Sequence, residues 1–443
     1  MIHDMTKDNP VKVMSAFAVP LFIGSVFQQV YNMVDSIVVG NFVGYEALAA
    51  VGACGGPFNL IIALLTGLTG GTSVVMAQYF GAKDSGKLKE TFTTAILVNG
   101  AVGILLTILG FLVTRPLLMI MRTPEELLDK AVLYMTIMCA GILVNCMYNG
   151  MSAVLRALGD SITPLVVLVI ASLLNVVLDL LFVVGFHMGV AGVAVATVLA
   201  QAVSAVFCFL YTIHRIPELR FRFRDLRINR KVASDIIRIG VPSALSSSGV
   251  SISVIFMQTT INGFGAMVVA AYTIGNRAEQ IGMCLAYSIG ISVGTFCGQN
   301  IGAKRMDRVK EGMRIGCIIA VVYAAVVSLG MILFAAPLAG IFSQDQEVIG
   351  IAVEVIYVTM LFGPMLGLVF VFQNFLRSAG DVAPTVWMSV TEIVARSILA
   401  FVFASIWGRI GIWWATPVGW TASLLIGILR YRNGNWKKKQ LIA

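Results

Sequence analysis

The sequence has little charge. Asp, Glu, Lys and Arg make up 12% of its 443 residues, whereas an average soluble domain has about 25%. Hydrophobic residues make up 58%. This balance excludes an ordinary soluble protein and indicates a membrane protein. The apolar runs are long and do not alternate with polar residues, which predicts membrane helices rather than a β-barrel.

Residues that carry enzyme chemistry are also scarce. The three His form no cluster, HExxH is absent, and the seven Cys lie mostly in apolar runs without CxxC spacing, as small buried hydrophobes do. The GxSxG match at 290–294 lies inside an apolar run, without the strand–turn–helix setting that the motif needs. The GxxxxGK spacing at 81–87 is followed by Leu88 where a phosphate loop needs Ser or Thr. We predict no enzyme, no ATP-driven pump and no cofactor.

Twelve apolar runs are long enough to cross a bilayer, which takes about 20 residues. They predict an all-α polytopic membrane protein with twelve transmembrane helices. The runs cover residues 12–39, 47–79, 91–113, 127–155, 162–184, 190–212, 233–262, 268–298, 312–335, 346–376, 383–405 and 410–431.

Lys and Arg are concentrated in alternate connecting segments, at 83–89, 215–231, 304–310 and 437–439. The intervening loops hold only Arg115, Arg122 and Arg409, with Lys130 at the start of the next helix. The positive-inside rule then places both termini in the cytoplasm of a multi-pass protein of the cell inner (cytoplasmic) membrane. The net charge of +9 reflects this topology and contact with lipid headgroups, not nucleic-acid binding.

The two halves of the chain repeat one another at an offset close to 221 residues. An even number of spans in each half predicts a parallel repeat, that is, two pseudo-symmetric six-helix bundles with a substrate path between them. The predicted parts are an N-terminal lobe (1–212), a basic cytoplasmic linker (213–232) and a C-terminal lobe with a basic tail (233–443). The repeated segments are 79–83 with 300–304, 156–160 with 377–381, and Pro20 with Pro242.

Asn175 and Asp179 lie four residues apart in an apolar run, so they share one helix face. A carboxylate in a membrane helix costs about 2.5–3.5 kcal/mol even on the mildest scale, which makes a functional role the first hypothesis. The alternative is an idle, hydrogen-bonded carboxylate near an interface.

Four helices of the first half carry polar residues on one face. Without one another, these side chains would lack hydrogen-bond partners in lipid, so we expect them to face one interior. There, Asp35, Asn175, Asp179 and Thr197 could share a proton or hold one Na⁺, because hard cations favour oxygen ligands. Pro20 could let the first helix bend. Further candidate substrate-cavity residues on these faces are Gln28, Asn32, Asn145, Asn149 and Gln201.

The second half lacks this acid pair. It instead has Glu392 and Arg396, an i,i+4 pair that could neutralise itself. A structural role for this pair and a role in gating or substrate binding both remain open. The other candidate cavity residues of this half are Met257, Gln258, Asn276 and Glu279.

These features resemble the multidrug and toxic compound extrusion (MATE) family over nearly the whole chain, and in particular its DinF-type and MepA-like bacterial members. The opening PLFIGSVFQQVYNMVDSIVVGNFVG, with Pro20 and Asp35, resembles the family's bent first helix and its acid. Asn175, Asp179 and Thr197 resemble a first-lobe cation site. The acid that many NorM-type members have in helix seven is missing here, since no acid follows Asp235 in that helix. The resemblance implies export of amphipathic, often cationic drugs in exchange for H⁺ or Na⁺.

We therefore predict a secondary active antiporter for amphipathic cations that works in the lipid bilayer without an obligate protein partner. The transported ion would be its only cofactor-like species. The alternative is a flippase for a lipid-linked cell-envelope precursor. Its pyrophosphate would need a cationic cavity, but the spans offer only Arg277 and Arg396 against four acids. A passive channel would not need an acid site confined to one half.

Overall fold

The computed structural model of the chain describes residues 3–121, 123–221 and 225–441, and these ranges fold into helices without a β-strand. Arg122 and residues 222–224 of the basic linker lie outside the described residues. Large apolar side chains face outward on the long helices. Leu112 is 68% exposed, Val326 65% and Phe401 71%. So much exposed apolar surface fits a lipid environment and not water.

The first half of the chain forms seven α-helices, and a five-residue π-helical segment follows two of them. The helices are α1 (Pro10–Val38), α2 (Tyr45–Gly81), α3 (Ser85–Ile120), α4 (Glu125–Ala140), α5 (Ile142–Ala157), α6 (Ile162–Leu180) and α7 (Gly189–Arg215), and the π-helical segments are Val39–Val43 and Leu181–Gly185.

The second half forms eight α-helices, of which one is a short connector. They are α8 (Arg230–Asn262), α9 (Ala266–Gly302), α10 (Met306–Leu333), α11 (Ala335–Gly340), α12 (Gln346–Leu361), α13 (Gly363–Ser378), α14 (Ala383–Trp407) and α15 (Arg409–Arg432).

Each of the twelve predicted runs contains one of these helices or one bent pair. Among the described residues, nine helices are long and apolar enough to cross a membrane, and two bent pairs bring the number to eleven. The remaining run is occupied by α8, which is 33 residues long.

Two runs for which the sequence indicates one span each are broken in the middle. The axes of α4 and α5 differ by 46°, and those of α12 and α13 by 48°. A glycine lies against a neighbouring helix at each break. A methyl group on Gly141 would come 2.4 Å from Val198 of α7, and one on Gly363 would come 2.3 Å from Ser328 of α10. These close contacts depend on side-chain partners that the sequence does not reveal.

The backbone repeats at the same offset as the sequence. Lys83 and Lys304 both have φ 56°, and Gly159 and Gly380 have φ 83° and 77°. The two broken spans are also separated by this offset, since α5 begins at Ile142 and α13 at Gly363. A left-handed Lys is uncommon, so its occurrence at matching positions supports a duplicated fold.

The chain forms two compact units, and the boundaries between them fall within two of its helices. Unit 1 contains residues 1–3 and 23–244, and unit 2 contains residues 4–22 and 245–443. The first part of α1 therefore belongs to unit 2, and the first part of α8 to unit 1. Pro20 and Pro242 lie two residues before these divisions, and α1 is helical through Pro20. The chain boundaries of the two lobes and the linker, and the bend at Pro20, stay predictions.

Residues 4–9 are held within unit 2 by α9 and α10. Met5 is fully buried, and its backbone N–H donates to Gln299 Oε1 at 2.9 Å. The guanidinium of Arg308 donates to the carbonyls of Met5 and Asp8, at 3.2 Å and 2.5 Å. The start of the chain is thus a built part of unit 2.

Candidate cation site

Asp35 and Asp179 meet inside unit 1, where α1 packs on α6. Their carboxyl groups lie within hydrogen-bonding reach of each other, and Asp179 is fully buried. The two helices also approach each other away from the acids, since a methyl group on Gly24 would lie 3.5 Å from Leu165. Two carboxyl groups can share a hydrogen bond only if one of them carries a proton. The close approach of the two carboxyl groups therefore suits a pair that can share one proton.

Asn175 and Thr197 complete the predicted set of four around this pair. With its nitrogen turned toward the acids, the Asn175 amide donates to Asp179 Oδ2 at 3.0 Å and to Tyr31 Oη at 2.7 Å. Its oxygen then accepts from the backbone N–H of Thr197 at 3.1 Å. The structure brings together Asp35, Asn175, Asp179 and Thr197, while their role in ion binding stays a prediction.

Two tyrosines of the site are not among the site residues predicted from the sequence. Tyr31 lies close to both carboxyl groups and hydrogen-bonds to Thr197, and Tyr134 of α4 lies near the same acids. Tyr31 could have been found, because it precedes Asp35 by four residues and shares its helix face. Tyr134 sits among apolar residues with no such signal.

Each acid is followed by a π-helical segment. The first begins at Val39, four residues after Asp35, and the second begins at Leu181, two residues after Asp179. Such segments are frequent at functional sites because they widen the helix and redirect its side chains. Nothing in the sequence marks them.

One oxygen of each acid remains available. Asp35 Oδ1 and Asp179 Oδ1 are buried and have no hydrogen-bond partner among the described residues. Leaving a buried acceptor unpaired costs free energy, so these atoms favour a bound proton or cation. The surrounding carboxyl, amide and hydroxyl oxygens are ligands that suit Na⁺.

The other candidate cavity residues of unit 1 form local pairs. Gln28 Nε2 donates to Asn32 Oδ1 at 3.4 Å, one turn along α1. Asn149 Nδ2 donates to Asn145 Oδ1 at 2.7 Å, one turn along α5. Gln201 of α7 is half-buried. Their contact with substrate stays a prediction.

The candidate residues of unit 2 gather around Arg396 of α14. Its guanidinium interacts with Glu279 and Tyr272 of α9 and with Glu392, and its Nε donates to Met257 Sδ at 2.8 Å. Arg396 thus interacts with a second acid, Glu279, besides Glu392, and the role of the Glu392–Arg396 pair stays a prediction.

Three further polar groups of unit 2 lie outside this cluster. Gln258 turns to Asn262, to which it donates at 2.8 Å, and Asn276 is half-buried. The guanidinium of Arg277 lies 5.7 Å from the ring centroid of Phe342.

Comparison with known proteins identifies the family of the chain. The family model described as MatE matches residues 20–181 and 242–402, one segment in each half of the chain. The chain belongs to the MatE family. The resemblance drawn from the sequence is confirmed, and the chain is a bacterial-type MATE transporter, not an enzyme.

Similar proteins cover nearly the full length of the MATE chain. The probable multidrug resistance protein YoeA of Bacillus subtilis is 28% identical over 98% of this chain and 96% of its own. The multidrug export protein MepA of Staphylococcus saprophyticus is 23% identical over 97% and 96%. A crystal structure of MATE in the bent conformation has a TM-score of 0.91 at 25% identity and covers 97% of both chains.

These likenesses confirm the predicted all-α architecture with twelve transmembrane helices in two bundles. The chain is a multi-pass membrane protein of a family of multidrug efflux transporters, which supports export of small molecules across a membrane.

Proposed function

We propose that this MATE transporter is an antiporter that exports amphipathic, often cationic drugs in exchange for H⁺ or Na⁺. It would work in the cytoplasmic membrane with both termini inside, and the ion would bind at Asp35 and Asp179. The observation that carries the proposal is the close approach of these two carboxyl groups in the interior of unit 1. The names of two relatives, the probable multidrug resistance protein YoeA and the multidrug export protein MepA, support the substrate class.

The chemistry of the pair explains how an ion could drive transport. Removing the shared proton leaves two negative charges side by side in a medium of low dielectric, where they repel strongly. A proton or Na⁺ from outside removes this repulsion, and a cationic drug can compete for the same negative charge. Exchange then requires only that ion and drug favour different transport states.

The π-helical segments offer a place for the change of state. Both acids lie within a turn of irregular backbone, so a change of charge acts where the helix is least regular. Each elementary charge that enters across 100 mV supplies about 2.3 kcal/mol, enough to shift an equilibrium by more than tenfold.

The test is drug efflux by purified protein in proteoliposomes, driven first by a proton gradient alone and then by a Na⁺ gradient alone. We expect Asp35→Asn and Asp179→Asn each to abolish gradient-driven efflux. Glu46→Gln is the matched control, because Glu46 pairs with Lys130 at an exposed position in the same unit. Efflux that survives in both Asn variants would show that coupling lies elsewhere.

A flippase for lipid-linked precursors gains no support from the polar cluster of unit 2. The positive charge of Arg396 is shared with Glu279 and Glu392, which leaves no surplus positive charge there to hold a pyrophosphate. Transport of a lipid-linked pyrophosphate by the same proteoliposomes, without drug efflux, would reverse this preference.

A further inference from the structure

A polar socket in unit 2, at the end of α9 and the start of α10, holds residues 4–9 by their backbone. The socket consists of the four polar side chains that bond to this segment, those of Gln299, Asn300, Arg305 and Arg308. Asn300 Nδ2 donates to the carbonyl of Met5 at 3.3 Å, and Arg305 Nη1 donates to that of Thr6 at 2.6 Å. Because these bonds reach backbone atoms, the socket fixes the path of the chain.

Arg308 is the centre of this socket. Its Nη2 donates to two carbonyls of the segment, its Nε donates to Asn300 Oδ1 at 3.2 Å, and its guanidinium lies 5.4 Å from the ring centroid of Phe296. A guanidinium presents five donors in one rigid plane, and hydrogen bonds from a charged donor are stronger than neutral ones. One buried side chain therefore fixes two carbonyls and orients a second member of the socket.

The corresponding segment of the second half is held in the same way in unit 1. Residues 225–229 of the linker are the counterparts of residues 4–8 at the repeat offset. The backbone N–H of Asn229 donates to Thr94 Oγ1 at 3.1 Å, and its side-chain amide donates to Glu90 Oε2 at 3.0 Å. Both partners belong to α3, the counterpart of α10. Different side chains thus hold equivalent segments at equivalent places, which favours a function for the attachment over chance packing.

Each held segment leads directly into a helix that the two compact units share. In the first half, α1 begins at Pro10, and its residues up to 22 belong to unit 2, whereas Asp35 lies in the part that belongs to unit 1. The helix is therefore held at one end in unit 2 and carries an acid of the candidate cation site towards the other. Rigid secondary structure can couple distant sites, but a helix with a free end would slide along its axis and transmit nothing.

We propose that residues 4–9 are a permanent anchor of α1 in unit 2, and that Arg308 is its main positioning residue. The anchor stays bound throughout the transport cycle, so a displacement of the Asp35 end of α1 on ion binding is passed on to unit 2. The proposal rests on the proposed function for its place in ion coupling, but the attachment itself can be measured without transport.

The first measurement is amide hydrogen exchange of residues 4–9 in the full-length protein in nanodiscs, followed by mass spectrometry with and without Na⁺ and at two pH values after correction for the intrinsic rate. We expect slow exchange of the wild type under all these conditions. Arg308→Gln should exchange roughly tenfold faster or more, because it loses hydrogen bonds from a charged donor and exchange reports local opening. Arg314→Gln is the matched control, because Arg314 is exposed on the same helix.

The second measurement is ethidium efflux from proteoliposomes under a proton or Na⁺ gradient. Deletion of residues 4–9 leaves α9 and α10 unchanged, so it serves as a second variant if Arg308→Gln does not fold. Both variants should lose most of the gradient-driven efflux but keep the rise in melting temperature that the coupling ion causes, whereas a general loss of structure would remove both.

Two results would overturn the proposal. One is normal gradient-driven efflux by the deletion variant, and the other is fast exchange of residues 4–9 in the wild type once the ion is added, since that would describe a latch that opens and not an anchor. Asp35→Asn should keep residues 4–9 protected while it loses efflux. Efflux that survives in Asp35→Asn would therefore count against the coupling site and not against the attachment.

Discussion

At the scale of single residues, the phenol of Tyr31 connects the parts of the candidate cation site. Its oxygen lies 2.7 Å from the side chain of Asn175, and the same group lies near both acids and Thr197. A hydroxyl can donate or accept, so Tyr31 can remain hydrogen-bonded whether the pair is protonated or not. This adaptability suits a site that changes its charge in each cycle.

Tyr31→Phe should therefore impair ion coupling without unfolding the protein. Loss of one hydrogen bond is worth about 0.5–1.5 kcal/mol, so we expect the apparent ion affinity in proteoliposome efflux to fall roughly two- to tenfold. Tyr45→Phe is the control, because Tyr45 is 81% exposed at the start of α2. Equal ion affinities in the Tyr31→Phe variant and the wild type would remove Tyr31 from the site.

The acids could be predicted from the sequence, but their full surroundings could not. Asp35 and Asp179 are conspicuous because a charge in an apolar run is rare, and helical spacing links Asn175 to Asp179. Tyr134 is not conspicuous, because a tyrosine in an apolar helix matches any lipid-facing or core position. Glu279 is conspicuous in the sequence as an acid in an apolar run, but its interaction with Arg396 could not be predicted, because Arg396 comes from another helix.

At the scale of helices, unit 1 depends on a close contact between α2 and the first part of α8. A methyl group on Gly67 would lie 2.2 Å from the Cα of Ala244, and one on Gly71 would lie 2.3 Å from the carbonyl oxygen of Ile236. Small residues four apart let membrane helices approach in this way. Backbone lies against backbone here, so the contact cannot adjust by rotating a side chain.

Gly67→Ala should destabilise the protein, because one helix must move away from the other. Overpacking of this kind costs about 1–3 kcal/mol, so the melting temperature in detergent should fall clearly. Gly70→Ala is a matched control in the same helix, since a methyl group there would meet nothing within 4 Å. Equal melting temperatures of the two variants would contradict the close contact.

The positions of the helices could be predicted from the composition of the sequence, whereas the breaks within two spans could not. The apolar runs coincide with the observed spans because both depend on the thickness of a bilayer. The breaks at Gly141 and Gly363 depend on Val198 and Ser328 from other helices. A glycine in an apolar run is common in membrane helices and by itself predicts no bend.

At the scale of the whole molecule, basic residues are concentrated in alternate connecting segments of the chain. In unit 1, Lys89 at the start of α3 pairs with Asp225 of the linker at 2.9 Å, so these two basic segments lie together. The basic segments near Lys83 and Lys304 share one backbone geometry. The positive-inside rule predicts that these basic segments face the cytoplasm.

Cysteine labelling can test that orientation. The seven native cysteines are buried except for the half-buried Cys284 and Cys317, which can be replaced by serine. A membrane-impermeant maleimide should label Asp129→Cys in intact cells, because this side chain is 88% exposed at the predicted outer end. Lys87→Cys should be labelled only after the cells are opened. The reverse pattern would place the termini outside.

The position of residues 4–22 in unit 2 also affects how the protein is made. Gln299, which binds the Met5 backbone, follows 294 positions later in the chain and therefore leaves the ribosome after it. Most of unit 1 is therefore synthesised before residues 4–22 can contact α9 and α10. The first part of α1 reaches its final surroundings only after these two helices have been made. Neither compact unit can therefore be completed from one half of the chain alone, because each unit contains residues of both halves.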